Sequence, residues 1–281
     1  MAFLIAASVA LAPTPALAPA PTPAHKWPTP GFVSVARGPD GGTVWSGPIF
    51  PSLRDSVVYL PPAYSPSQRY PVVYLLHGMP GSPSGFVFSL QLASQADGLI
   101  ASGARPFIAI APPAGPDRPY FGEWAGVWED YLISAVLPWA ARNLSTVPQQ
   151  SGRAIAGLSA GGFGAVDIAL RHPGVFGIVE SWSGYFAPFR DGPLARATPA
   201  QLAAHNPTLL VRTEVATLRH VRFFLSSGES HGVVLRKDTT AFAAELARLG
   251  VPTSVLLLRS ATPDYRTQFI AGLRFAFANV A

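Results

Sequence analysis

Arg153-Ala154-Ile155-Ala156-Gly157-Leu158-Ser159-Ala160-Gly161-Gly162-Phe163-Gly164-Ala165 decides the architecture of this 281-residue chain. Ile155 and Leu158 lie in a short apolar run that reads as a buried strand. Ala165 to Leu170 reads as a helix, stopped at His172-Pro173 because proline cannot continue it. Between them stands Gly157-Leu158-Ser159-Ala160-Gly161, of the form G-x-S-x-G. That form alone is a weak signal, and its context strengthens it. A strand that turns into a helix within one residue leaves no room for side chains, so glycine is favoured two positions to either side of the serine. The hydroxyl is then expected at the carboxyl end of the strand, where a helix N-terminus favours developing negative charge.

Outward from this stretch, strand and helix patterns alternate. Tyr70 to Leu76 (YPVVYLL) is a continuous apolar run, as expected of a parallel strand buried on both faces. Further strands are expected over Asp55 to Leu60, Phe107 to Ala111, Val175 to Trp182, Val221 to Ser226 and Val251 to Leu258. Phe32 to Ile49 reads as edge strands. Helices are expected over Glu129 to Arg142, kinked by Pro138, and over Thr240 to Leu249, closed by Gly250. A last helix is marked by Phe269, Leu273 and Phe277 at i, i+4 and i+8. Arg190 to Thr217 is broken by prolines and is expected to be irregular, a lid or pocket wall. The pattern implies an α/β fold: a doubly wound, mostly parallel sheet with helices on both faces.

Composition bounds the function. Apolar residues make up 49% of the chain and charged residues only 12%, enough for one large core. The net charge is +5, yet arginine is scattered and lysine occurs only at Lys26 and Lys237. Nucleic-acid binding needs a concentrated basic patch, so that class is excluded. With no cysteine there is neither a disulfide nor a thiolate nucleophile. Residues 1–12 form an apolar leader, a signal peptide or the remnant of a membrane segment, too short to span a bilayer. Residues 13–31 are a Pro/Ala/Thr-rich linker, and 32–281 form the folded domain with no membrane span. Leader and spacer together point to a secreted or cell-envelope protein.

RYPVVYLLHGMPGSPSGF, WEDYLISAVLPWAARNL and RAIAGLSAGGFGAVDIALRHPGVFGIVESWSGYF carry a definite resemblance. The chain resembles the putative-esterase family of α/β-hydrolases, which includes esterase D, feruloyl esterases and mycolyltransferases. The resemblance is strong from Val57 to Tyr185 and weak thereafter. It implies an α/β-hydrolase fold, Ser159 as nucleophile, and the backbone N–H groups of Met79 and Ala160 as oxyanion donors. It also implies that Glu123, Trp124, Trp182 and Tyr185 line the substrate pocket. The substrate is then a small-molecule ester or, for a transferase, an envelope glycolipid.

The C-terminal part departs from that pattern. The family's acid follows the strand equivalent to Val221–Ser226, where this chain has Gly228-Glu229-Ser230-His231. Glu229 can supply the acid, while His231 stands at the aspartate position. Pro263 stands where the family's histidine belongs, and no histidine follows His231. Three outcomes stay open: His231 pairs with Ser159 beside Glu229, Asp264 or another carboxylate acts as a weak base, or turnover is weak or lost. The last would leave a binder of glycan or lipid. No His/Asp/Glu cluster has metal-ligand spacing, so the reading includes no metal and no cofactor. It leaves the oligomeric state open.

Overall fold

A computed structural model of the protein describes residues 27–50, 55–115, 120–228, 232–259 and 264–280. The apolar leader, Glu229, His231 and Pro263 fall outside the described residues.

The strands are β1 (Val33–Arg37), β2 (Thr43–Gly47), β3 (Ser56–Leu60), β4 (Val72–Leu76), β5 (Ile108–Ala111), β6 (Arg153–Leu158), β7 (Ile178–Trp182), β8 (Arg222–Gly228) and β9 (Thr253–Leu258). They form one nine-stranded sheet in the order β1-β2-β3-β5-β4-β6-β7-β8-β9. The six strands from β5 to β9 in that order are parallel, and β1 to β3 join antiparallel. Every residue of β3, β4, β5 and β7 is buried, and β4 and β5 are unbroken apolar runs, as burial under helices on both faces favours.

One face carries α3 (Val127–Tyr131), α4 (Leu137–Asn143), α5 (Ala160–Arg171), α7 (Pro207–Thr213) and α8 (Gly232–Arg248). The other carries α1 (Ser84–Phe88), α2 (Leu92–Ala101) and α9 (Tyr265–Asn279). Phe107 stacks on Phe277 at 3.6 Å between ring centroids, fixing α9 to the sheet. Phe186 stacks on Phe242 at 4.1 Å on the opposite face. This is the doubly wound arrangement that the alternating pattern implies.

Four local readings need correction. The helix expected over Glu129 to Arg142 is not simply kinked. Leu132–Val136 winds as a π-helical turn between α3 and α4, which places Pro138 near the start of α4, where a missing N–H costs little. The Arg190 to Thr217 segment is not irregular throughout, since it contains α6 (Pro199–Ala204) and α7. Thr198 opens α6 with a capping box to Gln201. The helix expected from Thr240 begins at Gly232. Trp27, assigned to the linker by composition, packs its ring against Phe32, Trp45 and Trp139 within 6.2 Å.

Candidate active site

β6 ends at Leu158 and α5 begins at Ala160, so the whole change of direction falls on Ser159. Its backbone is forced to φ 56°, ψ −116°, a region that non-glycine residues avoid. The corner is held from three sides. Ser159 N–H donates to Trp182 O at 2.9 Å, and Ser159 O accepts from Gly162 and Phe163 N–H at 2.8 and 3.0 Å. A β-carbon on Gly157 would lie 2.1 Å from Gly161 O, and one on Gly161 would lie 2.0 Å from Leu76 O. The flanking glycines are therefore required by contact with backbone, not by flexibility.

Met79 and Ala160 come together here. Both belong to a small apolar cluster with Phe163 and Tyr185. Ala160 is the first residue of α5, so its N–H has no acceptor within the helix and is available to a ligand. Gly78, one residue before Met79, sits against the corner: its added β-carbon would lie 3.4 Å from Ser159 Cβ. His77 is part of the scaffold. It is buried, with Nδ1 3.0 Å from Gly78 O and Nε2 accepting from Ala114 N–H at 3.2 Å.

The four residues assigned to the pocket wall are all buried, and they divide between two places. Glu123 and Tyr185 meet: the Tyr185 hydroxyl lies 2.9 Å from both carboxyl oxygens of Glu123, and Phe189 N–H donates to one of them at 3.1 Å. Trp124 is wedged against Gly164 of α5 and donates from Nε1 to His77 O at 2.9 Å. It thus ties α5 to the loop that carries Met79. Trp182 lies in the core on the other face of the sheet, packed edge-on against Phe269 and donating to Glu180 Oε2 at 2.9 Å. Its ring shapes the packing of α9 and does not line an open cleft.

The cleft that does open beside the corner has a volume of about 170 Å³. Leu158, Gly78, Phe86, Leu90 and Tyr265 are among its lining residues. The sequence reading missed it because α1, which supplies Phe86, is a five-residue helix of sequence SGFVF with glycine at its second position. No periodicity can register over so short a length.

Among the described residues no histidine pairs with Ser159. His172 and His205 are engaged with Glu129 and Asp167, and His220 is exposed on a 3₁₀ turn. Asp264, one of the alternative bases, caps α9: its carboxylate accepts from Thr267 Oγ1 at 2.6 Å and Thr267 N–H at 2.8 Å. Those bonds hold its pKa below the usual carboxylate range, which makes it a poor proton acceptor.

Burial pushes the Glu123 carboxyl up to about 8, against the hydrogen bonds from Phe189 and Tyr185; Asp191 and Asp167 add to the rise. In the unfolded chain the same group ionises near its ordinary value of 4.5. The folded state therefore holds the proton across that interval. The stability Glu123 contributes is complete below about pH 4.5 and is lost as pH rises through about 8, up to roughly 5 kcal/mol in all. Glu123→Gln mimics the protonated acid and is expected to flatten the fall in Tm between about pH 4.5 and pH 8. Thermal denaturation at a series of pH values tests this, and parallel curves for the two proteins would contradict it.

With the geometry established, comparison with known proteins places the chain. A family profile described as putative esterase matches residues 50–257. The chain belongs to that family. An esterase of Mycobacterium tuberculosis is 34% identical over 140 residues, covering 48% of this chain and 30% of that protein. An endo-1,4-β-xylanase/feruloyl esterase of Xylanibacter ruminicola is 32% identical over 142 residues, covering 47% of this chain and 20% of that protein. The chain thus spans less than a third of the length of these curated relatives. Among solved structures, a ferulic acid esterase superposes with a TM-score of 0.69 at 22% identity, over 89% of this chain and 97% of the other. The M. tuberculosis protein MPT51 superposes with a TM-score of 0.57 at 18% identity, over 90% and 100%. The α/β-hydrolase fold expected from the motifs is the fold of this chain. No helix among the described residues is long and apolar enough to cross a membrane.

Proposed function

We propose that the protein is an exported serine carboxylic-ester hydrolase in which Ser159 is the nucleophile. The observation that carries this reading is the strained φ of 56° at Ser159. A backbone outlier persists only where its surroundings enforce it, and here three contacting glycines and a cross-strand hydrogen bond do so. Attack by Ser159 Oγ on the ester carbonyl would form a tetrahedral oxyanion. The N–H groups of Met79 and Ala160 would stabilise it, reinforced by the N-terminus of α5. The acyl group would lie in the apolar cleft over Leu158, Phe86 and Leu90.

For the proton acceptor we propose His231, oriented by Glu229. Leu158 pairs with Trp182 and Trp182 with Ser226, so the parallel strand β8 ends at the same carboxyl end of the sheet as the serine corner. Export rests on the apolar leader and the Pro-rich spacer in the sequence.

Incubation with a fluorophosphonate probe, followed by peptide mass spectrometry, is expected to place one adduct on Ser159. Short-chain p-nitrophenyl esters are expected to be hydrolysed. Product formation that rises with a sugar acceptor would instead assign acyl transfer. Neither labelling nor turnover would overturn the hydrolase reading and leave a non-catalytic binder.

A further inference from the structure

Away from the serine corner, three side chains distant in sequence converge in the interior. Glu129 comes from α3, Asp167 from the middle of α5, and His205 from the end of α6. One ligand atom from each lies within 4.8 Å of both others, and all three residues are buried. His205 Nδ1 is 2.7 Å from Asp167 Oδ2 and 4.0 Å from Glu129 Oε2. Arg171 Nε and His172 Nε2 both contact the other Glu129 oxygen, Oε1, at 2.9 and 2.7 Å. They leave Oε2 facing His205.

A separate observation marks the place as unfinished. Asp167 is completely buried, and its Oδ1 has no hydrogen-bond partner. A desolvated carboxylate oxygen without a donor costs more than a kilocalorie per mole, so something electropositive is expected beside it. The hydrogen bond from His205 is spent on the other oxygen, Oδ2.

We infer that Glu129, Asp167 and His205 form a binding site for a divalent transition-metal ion of the zinc class. The donor set is one imidazole nitrogen and two carboxylate oxygens, which suits Zn²⁺. Ca²⁺ prefers six to eight oxygens and does not fit so few ligands. Donors held about 2 Å from one ion sit roughly 3 Å apart, so the 2.7 and 4.0 Å separations need only small side-chain rotations. Binding displaces the proton that His205 Nδ1 shares with Asp167 and releases it to solvent. Arg171 and His172 hold Glu129 from behind, as outer partners of a ligating carboxylate do.

The site would join three elements that the sheet does not join. His205 ends α6, which lies in the segment from residue 190 to 217. That segment packs through Leu194 and Ala197 on Ala125, two residues from Glu123. A metal here would clamp it to α3 and α5. The arrangement is independent of whether Ser159 is catalytic.

Equilibrium dialysis of the metal-stripped protein against Zn²⁺, read by elemental analysis, is expected to give one ion per chain. Asp167→Asn and His205→Ala are each expected to weaken binding at least about tenfold. Zn²⁺ at a hundredfold excess over its Kd is expected to raise the Tm of the unaltered protein by about 5 °C, and Ca²⁺ is not. Less than a tenth of an equivalent bound by the unaltered protein would overturn the inference, whatever the variants do, and leave the cluster as an ionic staple holding a proton. One equivalent retained by both folded variants would also overturn it, by placing the ion elsewhere.

Discussion

Ser159→Gly is expected to fold more stably than the unaltered protein while losing ester turnover by about 10⁴–10⁶-fold. The two effects have one origin. At φ 56°, ψ −116° a side chain costs roughly 1–3 kcal/mol, and glycine removes that cost. Glycine also gives the unfolded chain more freedom, which offsets about 0.5–1 kcal/mol of the gain. The net stabilisation is about 1 kcal/mol, or roughly 2–4 °C in Tm for a chain of this size. Ser159→Ala separates the contributions: it keeps the strained β-carbon and removes only the hydroxyl, so its Tm is expected within about 1 °C of the original and its turnover as low as that of the glycine variant. Turnover that survives in Ser159→Ala would remove Ser159 from the chemistry. A Tm for Ser159→Gly below that of Ser159→Ala would show that the corner is not strained.

The parts of the fold that were legible in the sequence are those fixed by local chemistry. Val72–Leu76 is an unbroken apolar run because helices cover it on both sides, and that run is visible without knowing which helices. The corner at Ser159 was legible because the exclusion at Gly157 acts within four residues, against Gly161 O; the exclusion at Gly161 comes from Leu76 O on β4, and only its outcome, a second glycine, shows in the motif. What failed was local signal that is weak or absent. The α2 helix begins after Gln91 in a left-handed conformation and buries Asp97, whose carboxylate accepts from Asp40 N–H, Gly42 N–H and the Tyr59 hydroxyl. A buried acid in a short helix gives no local sign of its burial, because its donors lie 38 to 57 residues away.

The pocket assignments illustrate the same limit at the site. Glu123 and Tyr185 were named together, and they do meet, through a hydrogen-bonded pair. Trp182 was named with them, but β-strand alternation sends its ring to the opposite face of the sheet from α5, into contact with Phe269. Met79 and Ala160 were assigned as oxyanion donors; the two share one small apolar cluster, and Ala160 directly follows Ser159. The convergence of Glu129, Asp167 and His205 had no sequence signature, because motif spacing detects ligands on one helix or loop and these sit on three.

Gly157→Ala and Gly161→Ala are expected to be among the most damaging single-methyl additions in this protein. The atoms that a new β-carbon meets are backbone: Gly161 O at 2.1 Å in the first case, Leu76 O at 2.0 Å in the second. A side chain in the way could rotate, whereas these carbonyls belong to the crossing point of β4, β6 and α5, and Leu76 itself pairs with Gly157. Relief requires β6 and α5 to move apart, which opens the core beneath Ile155 and Val166, both fully buried. The expected cost is at least about 3 kcal/mol, a fall in Tm of about 10 °C. A displaced corner would also abolish labelling of Ser159. Gly98→Ala supplies the internal contrast, because Gly98 lies inside α2 and nothing stands within 4 Å of its added β-carbon. There the same methyl is expected to raise stability by about 0.5–1 kcal/mol through helix propensity alone. If all three variants melt together, the tight β6–α5 corner described here is not the corner the protein has.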